Sequence, residues 1–253
     1  MSPVFSVSVF FKGKSMKRIL FIAAVLTLVF CVLSESVSAG EPVYIVPIGD
    51  SITHGGRRPD EYSWRYPLFQ ILTDAGVNFD FVGAYKRGLV GNFKWPDYKG
   101  KKFDTDHQGV YGIKTAKMRD RIKTERKKWS HAPDIALIHL GTNDQGAEDH
   151  TAAVVEPLRD IIKMLREENP KVVVLVGHLN FTGGAAAKIR PLVEAMVKEM
   201  NTKESPVITV HHYKRFNADP KHRQTDTYDW AHPNPKGQKK MAARWFDAME
   251  PYL

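Results

Sequence analysis

Five short apolar runs alternate along this chain with longer segments in which apolar residues recur every three or four positions. Runs of roughly four to eight apolar residues are typical of buried strands. We predict strands at residues 43–48, 79–85, 135–140, 172–177 and 207–211. The longer segments have the period of helices that bury one face. We predict helices at residues 64–75, 115–129, 151–168, 185–200 and 235–249.

This alternation predicts an α/β fold, namely a three-layer α/β/α sandwich with right-handed crossovers around a central five-stranded, mostly parallel sheet. The runs at 135–140 and 172–177 are apolar almost throughout, which is typical of central parallel strands covered on both faces. No internal repeat or low-complexity linker interrupts the pattern. We therefore predict one domain over residues 40–253.

The N-terminal segment has the pattern of a secretory signal peptide. A basic stretch at 16–18 precedes an apolar run at 19–33, and small residues follow at 37–39, where a signal peptidase cuts. The apolar run is short for a membrane span, so we expect cleavage after Ala39 rather than stable membrane insertion. Met16 is the better start, because the residues before it resemble no part of a targeting signal.

Export to the cell exterior or the periplasm follows from this signal, and the mature chain must then be stabilised by its core. The single cysteine, Cys31, lies inside the signal, and the bulky Phe30 before it disfavours lipid anchoring. Removal of residues 1–39 leaves 214 of the 253 residues and no cysteine for a disulfide. A chain of this size buries roughly 70% of its unfolded surface.

The charge balance is basic but lacks a nucleic-acid-binding signature. The formal net charge is +9, and residues 1–39 hold four cations and one carboxylate, which leaves +6 on the mature chain. The densest basic run, at 119–128, alternates with apolar residues as on the solvated face of an amphipathic helix. No base-stacking or groove-reading motif accompanies it, so we expect no nucleic-acid partner. Attraction to an acidic polysaccharide, such as one with uronic acids, stays open.

One long segment, residues 86–108, lacks periodicity and is rich in Gly, Lys, Asp and aromatic residues. Long loops in compact domains often shape binding sites. The aromatic residues of this loop either line a pocket or pin the loop to the domain, and the sequence leaves both open. They include Phe93, Trp95, Tyr98 and Phe103.

Two stretches at opposite ends of the chain carry the residues of a hydrolytic site. A Gly-Asp-Ser turn at 49–51 ends the first predicted strand, which puts Ser51 at the sheet edge where α/β proteins bind ligands. A serine nucleophile needs an imidazole to take its proton and a carboxylate to orient that imidazole. His232 and Asp229, three positions apart, supply both types of group.

Acyl transfer also needs hydrogen-bond donors that face the developing oxyanion. The stretch Gly-Thr-Asn-Asp at 141–144 directly follows a predicted strand and offers the Asn143 side-chain amide. The stretch at 107–112 offers a glycine amide, either at Gly112 or, as the alternative, at Gly109.

These four blocks resemble, in this order, those of the SGNH (GDSL-type) hydrolase superfamily, and the resemblance spans most of the mature chain. It implies the flavodoxin-like SGNH-hydrolase fold. It implies that Ser51 is the nucleophile and that His232 is the base, with Asp229 as its orienter. It also implies an oxyanion hole made by the Ser51 and Gly112 amides and the Asn143 side chain.

Within the superfamily, the chain is most similar to carbohydrate esterases of the acetyl xylan esterase type, which remove acetyl groups from polysaccharides. The segments that carry this likeness are 49–53, 63–68, 79–83 and 104–109. Two positions depart from that branch. Gln108 stands where an acidic residue is usual, and Tyr111 stands before Gly112 where Ser is frequent.

Further polar residues near the four blocks support or line the site in our interpretation. Asp50 belongs to the nucleophile turn and Asp144 supports the Asn143 loop, each as a turn or helix cap. His54 is an alternative base, but no carboxylate has the spacing to it that orients His232. Candidate substrate-binding residues are Tyr111, His178, Asn180 and Trp230.

Four further histidines raise the question of a metal. They lie on or beside predicted strands without a metal-ligand spacing, and we interpret them as partly buried, hydrogen-bonded residues. They are His139, His178, His211 and His212. No phosphate-cradling glycine loop is present, so we predict neither a metal nor an organic cofactor.

Three functions fit these residues. The first is a secreted serine esterase that hydrolyses short-chain acetyl esters by O-deacetylation of a polysaccharide or oligosaccharide, so that its partner is an acylated carbohydrate. The second is a lipid or thioester hydrolase of the same superfamily, disfavoured because no amphipathic lid is evident. The third is a noncatalytic glycan-binding module, disfavoured by the intact catalytic set. The sequence indicates neither the sugar, nor the acyl length, nor the oligomeric state.

Overall fold

The structure, a computed structural model, describes residues 40–253 and centres on one parallel β-sheet. Its strands are β1 (Val43–Gly49), β2 (Phe79–Phe81), β3 (Gln108–Gly109), β4 (Ile135–His139), β5 (Val173–Gly177) and β6 (Val207–Val210). Their order is β2-β1-β4-β5-β6, β3 pairs with the end of β1, and all pairs are parallel. The predicted α/β fold is confirmed. The predicted signal peptide, with Cys31 and Met16, lies outside the described residues.

All five predicted strands are present, but the prediction of a five-stranded sheet was wrong by one short strand. The additional strand, β3, pairs its two residues with Ile48 and Gly49 of β1. A segment this short has no periodicity, and only its pairing with β1 makes it a strand. The second strand is shorter than the predicted 79–85, because its pairing with β1 ends at Phe81.

The helices are α1 (Ser51–His54), α2 (Arg65–Asp74), α3 (Thr115–Glu125), α4 (Glu156–Glu168), α5 (Gly184–Met200) and α6 (Pro235–Met249). Short turns of 3₁₀ or π type lie at Arg126–Lys128, Thr142–Asp144, Thr151–Val155 and Glu250–Tyr252. The five longer helices match the predicted ones, except that 115–129 ends in a 3₁₀ turn and 151–168 begins with a π-helical turn. Within residues 40–253, no helix has the length and hydrophobicity that a membrane crossing requires.

Helices cover both faces of the sheet, which gives the three predicted layers. Helices α3, α4 and α5 pack on one face, where Val46 and Ile138 belong to the buried cluster. Helices α2 and α6 pack on the other face, where Ile45 and Leu137 are buried. Successive residues of a strand point to opposite faces, which explains why these strands are apolar at nearly every position.

Aromatic side chains hold the long loop at 86–108 against the α2 layer. Phe103 is buried and packs edge to face on Phe69, with ring centroids 5.4 Å apart. Trp95 donates its indole N–H to the carbonyl oxygen of Tyr62 at 2.9 Å. Both residues therefore pin the loop to the domain, and both also line a surface cavity.

A buried arginine connects α2 to the turn that follows β1. The Arg65 side chain donates to the carbonyl oxygens of Thr53, His54 and Thr105 at 2.8, 3.0 and 3.0 Å. Burial lowers the pKa of Arg65 to about 9. The carbonyls satisfy a guanidinium that would otherwise be costly to bury, and they fix α1 against α2.

We expect Gly49→Ala to lower the free energy of unfolding by about 2–3 kcal/mol, as overpacking of a tight site does. Gly49 ends β1, and a Cβ there would overlap Thr53 Oγ1 and lie 2.7 Å from the carbonyl oxygen of His139. Urea denaturation measures the loss. Gly146→Ala is the matched control, because a Cβ there meets nothing within 4 Å. Equal stability of the two variants would contradict the close approach of β1 to β4.

Candidate active site

Ser51 occupies the first position of α1, directly after the carboxyl end of β1. The preceding residue, Asp50, caps this helix, because its carboxylate accepts the amide N–H of Ile52 at 3.0 Å. Burial raises the pKa of the fully buried Asp50 carboxyl to about 6. The predicted placement of Asp50 in the nucleophile turn agrees with this geometry, and the cap orients the helix from which the Ser51 hydroxyl projects.

His232 brings its imidazole to Ser51 from the other end of the chain. The distance from His232 Nε2 to Ser51 Oγ is 3.0 Å, across 181 positions of sequence. His232 lies in the loop before α6, where its carbonyl oxygen accepts the amide of Tyr228 at 2.8 Å. Asn234 caps α6 by accepting the amides of Lys236 and Gly237. Cap and loop together hold the imidazole at the carboxyl edge of the sheet.

Asp229 binds the opposite side of the imidazole. Its two carboxylate oxygens lie 3.0 and 2.9 Å from His232 Nδ1, and Oδ1 also accepts the amides of Ala231 and His232, both at 2.8 Å. Burial by itself would raise the pKa of Asp229, but these amides and the imidazole together hold it well below its ordinary value. An ionised carboxylate at Nδ1 retains the proton on that nitrogen and leaves Nε2 as the acceptor that faces Ser51.

Asn143 lies in the 3₁₀ turn that follows β4. Its Nδ2 donates to the carbonyl oxygen of Ile113 at 2.9 Å, which fixes the amide and leaves its second N–H for another acceptor. Asp144 accepts the amide and hydroxyl of Thr115 at 2.9 and 2.8 Å. Asp144 therefore ties the Asn143 turn to the start of α3, in line with the supporting role predicted for it.

The two candidate oxyanion glycines differ in what their amides do. The Gly109 amide donates to His107 Nδ1 at 3.0 Å, so it is already occupied. The Gly112 amide has no hydrogen-bond acceptor among residues 40–253. Gly112 has a φ of +71°, and a Cβ on it would meet nothing within 4 Å, so it faces open space. These observations favour Gly112, although its role stays a prediction.

His54, the alternative base, has no contact that would activate it. Its ring packs against His107 and Tyr111, with centroids 5.0 and 5.8 Å away. Burial and the Arg65 charge lower the pKa of His54 to about 4. In the part of the chain that the structure describes, no carboxylate accepts a hydrogen bond from it.

Of the four candidate substrate-binding residues, two lie at the catalytic residues. The Tyr111 ring stacks on that of His232, with centroids 5.5 Å apart and planes inclined by 19°. Trp230 directly follows Asp229, is 61% exposed and stacks against Phe181. Both residues present aromatic surface beside the catalytic groups.

The other two candidates, His178 and Asn180, are buried, and their place in the substrate pocket stays a prediction. Asn180 has no exposed surface, and its Nδ2 lies 3.4 Å from Met241 Sδ of α6. His178 is 3% exposed and contacts His211, with 3.1 Å between the two Nδ1 atoms. The first three residues after β5 are buried, and the chain reaches the surface from Thr182 onward.

The four histidines considered as metal ligands form two pairs. His178 and His211, together with Glu194, bring ligand-type atoms within 4.8 Å of one another. Burial and the charges of His211, Arg190 and Lys214 lower the pKa of His178 to about 3. The fully buried rings of His139 and His212 meet edge to face at 5.6 Å. That the protein binds no metal stays a prediction. The positive charges of Arg190 and Lys214 disfavour a metal cation at His178.

The structure also brings two residues to the site that have no signal in the sequence. Arg58 donates to Asp229 Oδ2 at 2.8 Å and to Glu61 Oε2 at 2.8 Å. Glu61 is 3% exposed and accepts the Tyr111 hydroxyl at 2.6 Å. Arg58 and Asp229 are 171 positions apart, so no local motif links them.

Comparisons with known proteins show the family and the fold of this chain. A multidomain esterase from Ruminococcus flavefaciens is 28% identical over an alignment 280 residues long, gaps included, and this alignment covers 96% of the present chain. The chain spans about a third (34%) of the length of that relative. A carbohydrate esterase family 3 structure from Talaromyces cellulolyticus has a TM-score of 0.66 at 24% identity, covering 83% of this chain and 97% of that one.

A family 3 carbohydrate esterase from Clostridium thermocellum also has a TM-score of 0.66, at 23% identity, over 83% of this chain and 96% of that one. At these identities the solved structures establish the fold. The sequence model of the GDSL-like Lipase/Acylhydrolase family matches residues 48–240, from the end of β1 into α6. The resemblance to GDSL-type hydrolases is thereby confirmed, and the chain belongs to the GDSL-like Lipase/Acylhydrolase family.

Proposed function

We propose that the chain is a serine esterase that releases short acyl groups, above all acetate, from carbohydrates. The observation that carries the proposal is the hydrogen-bonded series from Ser51 Oγ to His232 Nε2 at 3.0 Å and from Nδ1 to the Asp229 carboxylate at 2.9 Å. A serine, an imidazole and a carboxylate in this order form the unit that activates a hydroxyl for attack on an ester.

The reaction then proceeds in two halves. His232 Nε2 takes the Ser51 proton as Oγ forms a bond to the ester carbonyl carbon. The resulting oxyanion is stabilised by the Ser51 and Gly112 amides and the second N–H of Asn143. His232 returns the proton to the departing alcohol, and an acyl-enzyme remains. Water, deprotonated by His232, attacks this acyl-enzyme, and the acid leaves as Ser51 recovers its proton.

Asp229 stabilises the imidazolium that forms in both halves. Its carboxylate stays ionised, because two amides and the imidazole lower its pKa. An ionised partner at Nδ1 makes Nε2 a stronger base while Ser51 is attacking. The same contact prevents the ring from flipping, so the proton is returned to the leaving oxygen.

Carbohydrate as the substrate class rests on three supports. The sequence segments around the site are most similar to the acetyl xylan esterase type, and two similar solved structures are described as carbohydrate esterases of family 3. Trp230 offers an exposed indole next to the catalytic loop, and flat aromatic faces pack well on sugar rings. We also propose that the protein is exported, because of the signal pattern at residues 1–39.

We expect Asn143→Ala to lower kcat for 4-nitrophenyl acetate by about a hundredfold to a thousandfold, because an oxyanion donor is lost. Ser51→Ala should lose about 10⁴-fold or more. Asn169→Ala is the matched control, since Asn169 Nδ2 donates to the carbonyl oxygen of Pro133 at 3.0 Å, the same kind of contact away from the site. A folded Asn143→Ala enzyme with near-normal kcat would exclude this oxyanion hole.

A substrate panel separates the three functions. We expect acetate release from acetylated xylan and acetylated oligosaccharides, and a kcat/KM for 4-nitrophenyl acetate at least about tenfold above that for the decanoate. Ser51→Ala serves as the blank. A preference for the decanoate or for acetyl-coenzyme A favours the lipid or thioester hydrolase. Glycan binding without any Ser51-dependent hydrolysis favours the noncatalytic module.

Export is tested on the full chain expressed in a bacterium with a periplasm. We expect the protein in the periplasm or medium, with an N-terminus at Gly40, because the small residues at 37–39 suit signal peptidase. Edman sequencing or intact mass identifies the first residue. Ala39→Phe is the control that should block cleavage. An uncleaved cytoplasmic product of the unaltered chain would contradict export.

A further inference from the structure

The carboxylate that orients His232 is also paired with an arginine. Asp229 Oδ2 accepts Arg58 Nη2 at 2.8 Å, and the same oxygen lies 2.9 Å from His232 Nδ1. Arg58 Nη1 binds Glu61 Oε2, also at 2.8 Å, so the guanidinium bridges two carboxylates. The Glu61 side chain is 4% exposed, against 29% for each of its two neighbours in the bridge, Arg58 and Asp229. The bridge is therefore largely shielded from water at Glu61 and partly open at Asp229.

A second contact connects this bridge to the imidazole. Glu61 Oε1 accepts the hydroxyl of Tyr111 at 2.6 Å, and the Tyr111 ring lies against His232 with planes 19° apart. Glu61 thus reaches His232 by two routes, through Arg58 and Asp229 and through Tyr111. Arg58 is further held over the ring of Tyr228, 4.8 Å from its centroid.

The charges in this network act on His232 with opposite sign. Asp229 and Glu61 are anions and Arg58 is a cation, so the group has a net charge of −1 when His232 is neutral and is neutral when His232 is protonated. Removal of the Arg58 cation stabilises the protonated form of His232, and removal of the Glu61 anion destabilises it. A contact that only held Asp229 in place would not require a second, buried carboxylate. The arrangement is therefore suited to balance the basicity of the imidazole.

We propose that Arg58 and Glu61 are positioning residues that adjust the basicity of His232 in opposite directions through Asp229 and Tyr111. The proposal rests on the proposed function, because it concerns the base of that reaction. It adds two residues that the four sequence blocks do not contain. It also gives the loop between α1 and α2, which holds Arg58 and Glu61, a role in the proton transfer.

Other groups face His232 and must stay constant in a test. Ser51 binds Nε2, and the Asp50 carboxyl lies close enough for its charge to interact with the imidazole. Arg57 acts on the Tyr111 hydroxyl. Burial raises the pKa of Asp50 to about 6, close to the ordinary value of a histidine, so one pH profile would be ambiguous. Differences between variants that share Asp50 and Arg57 remove this ambiguity.

The test compares the pH profiles of kcat/KM of the full chain for 4-nitrophenyl acetate. Arg58→Gln removes the cation and should shift the acidic limb of the profile to higher pH by about 0.5–1 unit. This shift lowers the rate at low pH about threefold to tenfold. Glu61→Gln should shift the acidic limb to lower pH by a similar amount. The double variant should return close to the original limb, and Arg58→Lys should restore it.

Two controls keep the outcome interpretable. Arg159→Gln breaks a two-bond pair with Glu199, at 2.8 and 2.9 Å on α4 and α5, and should leave the limb unchanged. NMR titration of the His232 ring gives the same shifts without any turnover. If Ser51-dependent hydrolysis is absent, the proposed function fails, while the NMR shifts still decide this proposal. Limbs and NMR shifts that stay fixed, or that move in one direction for both variants, overturn it.

Discussion

The hydrogen bond between Ser51 Oγ and His232 Nε2 is the contact on which the rest of the site depends, because it joins the start of α1 to a loop 181 positions further along the chain. A helix cap holds the chain on each side of this contact. Asp50 caps α1 on the nucleophile side, and Asn234 caps α6 on the base side. A cap supplies acceptors to the first amides of a helix, which have no partner within the helix itself.

The loop that carries His232 is held by a buried carboxylate. Asp226 has no exposed surface; its Oδ2 accepts the amide of Asn217 at 2.7 Å and the ammonium group of Lys240 at 2.6 Å. Its backbone carbonyl accepts the amide of Asn234 at 2.9 Å. Arg65 plays the corresponding part under the nucleophile turn, with three carbonyl acceptors. Burial of both charges is tolerated because each is bonded, and the result is a rigid frame on both sides of the catalytic contact.

The sheet and its long helices follow from the sequence because each depends on a local pattern. β4 and β5 are apolar runs between helices with a clear period, and their bounds agree with prediction to within one residue. β3 could not be predicted, since two residues have no period and pair only because β1 is there. The last turns of the predicted helix at 115–129 tighten to a 3₁₀ turn, a matter of local packing that residue types do not reveal.

By itself, the sequence determined the alternation of strands and helices, the family and the order of the four blocks, because these reside in periodicity and short motifs. Only the tertiary structure decided which of those residues meet. It placed His232 on Ser51, occupied the Gly109 amide with His107, and buried Asn180. It also joined Arg58 to Asp229. The physical reason is that a contact between residues far apart in the chain is set by how the strands and helices pack. No local sequence pattern records that packing.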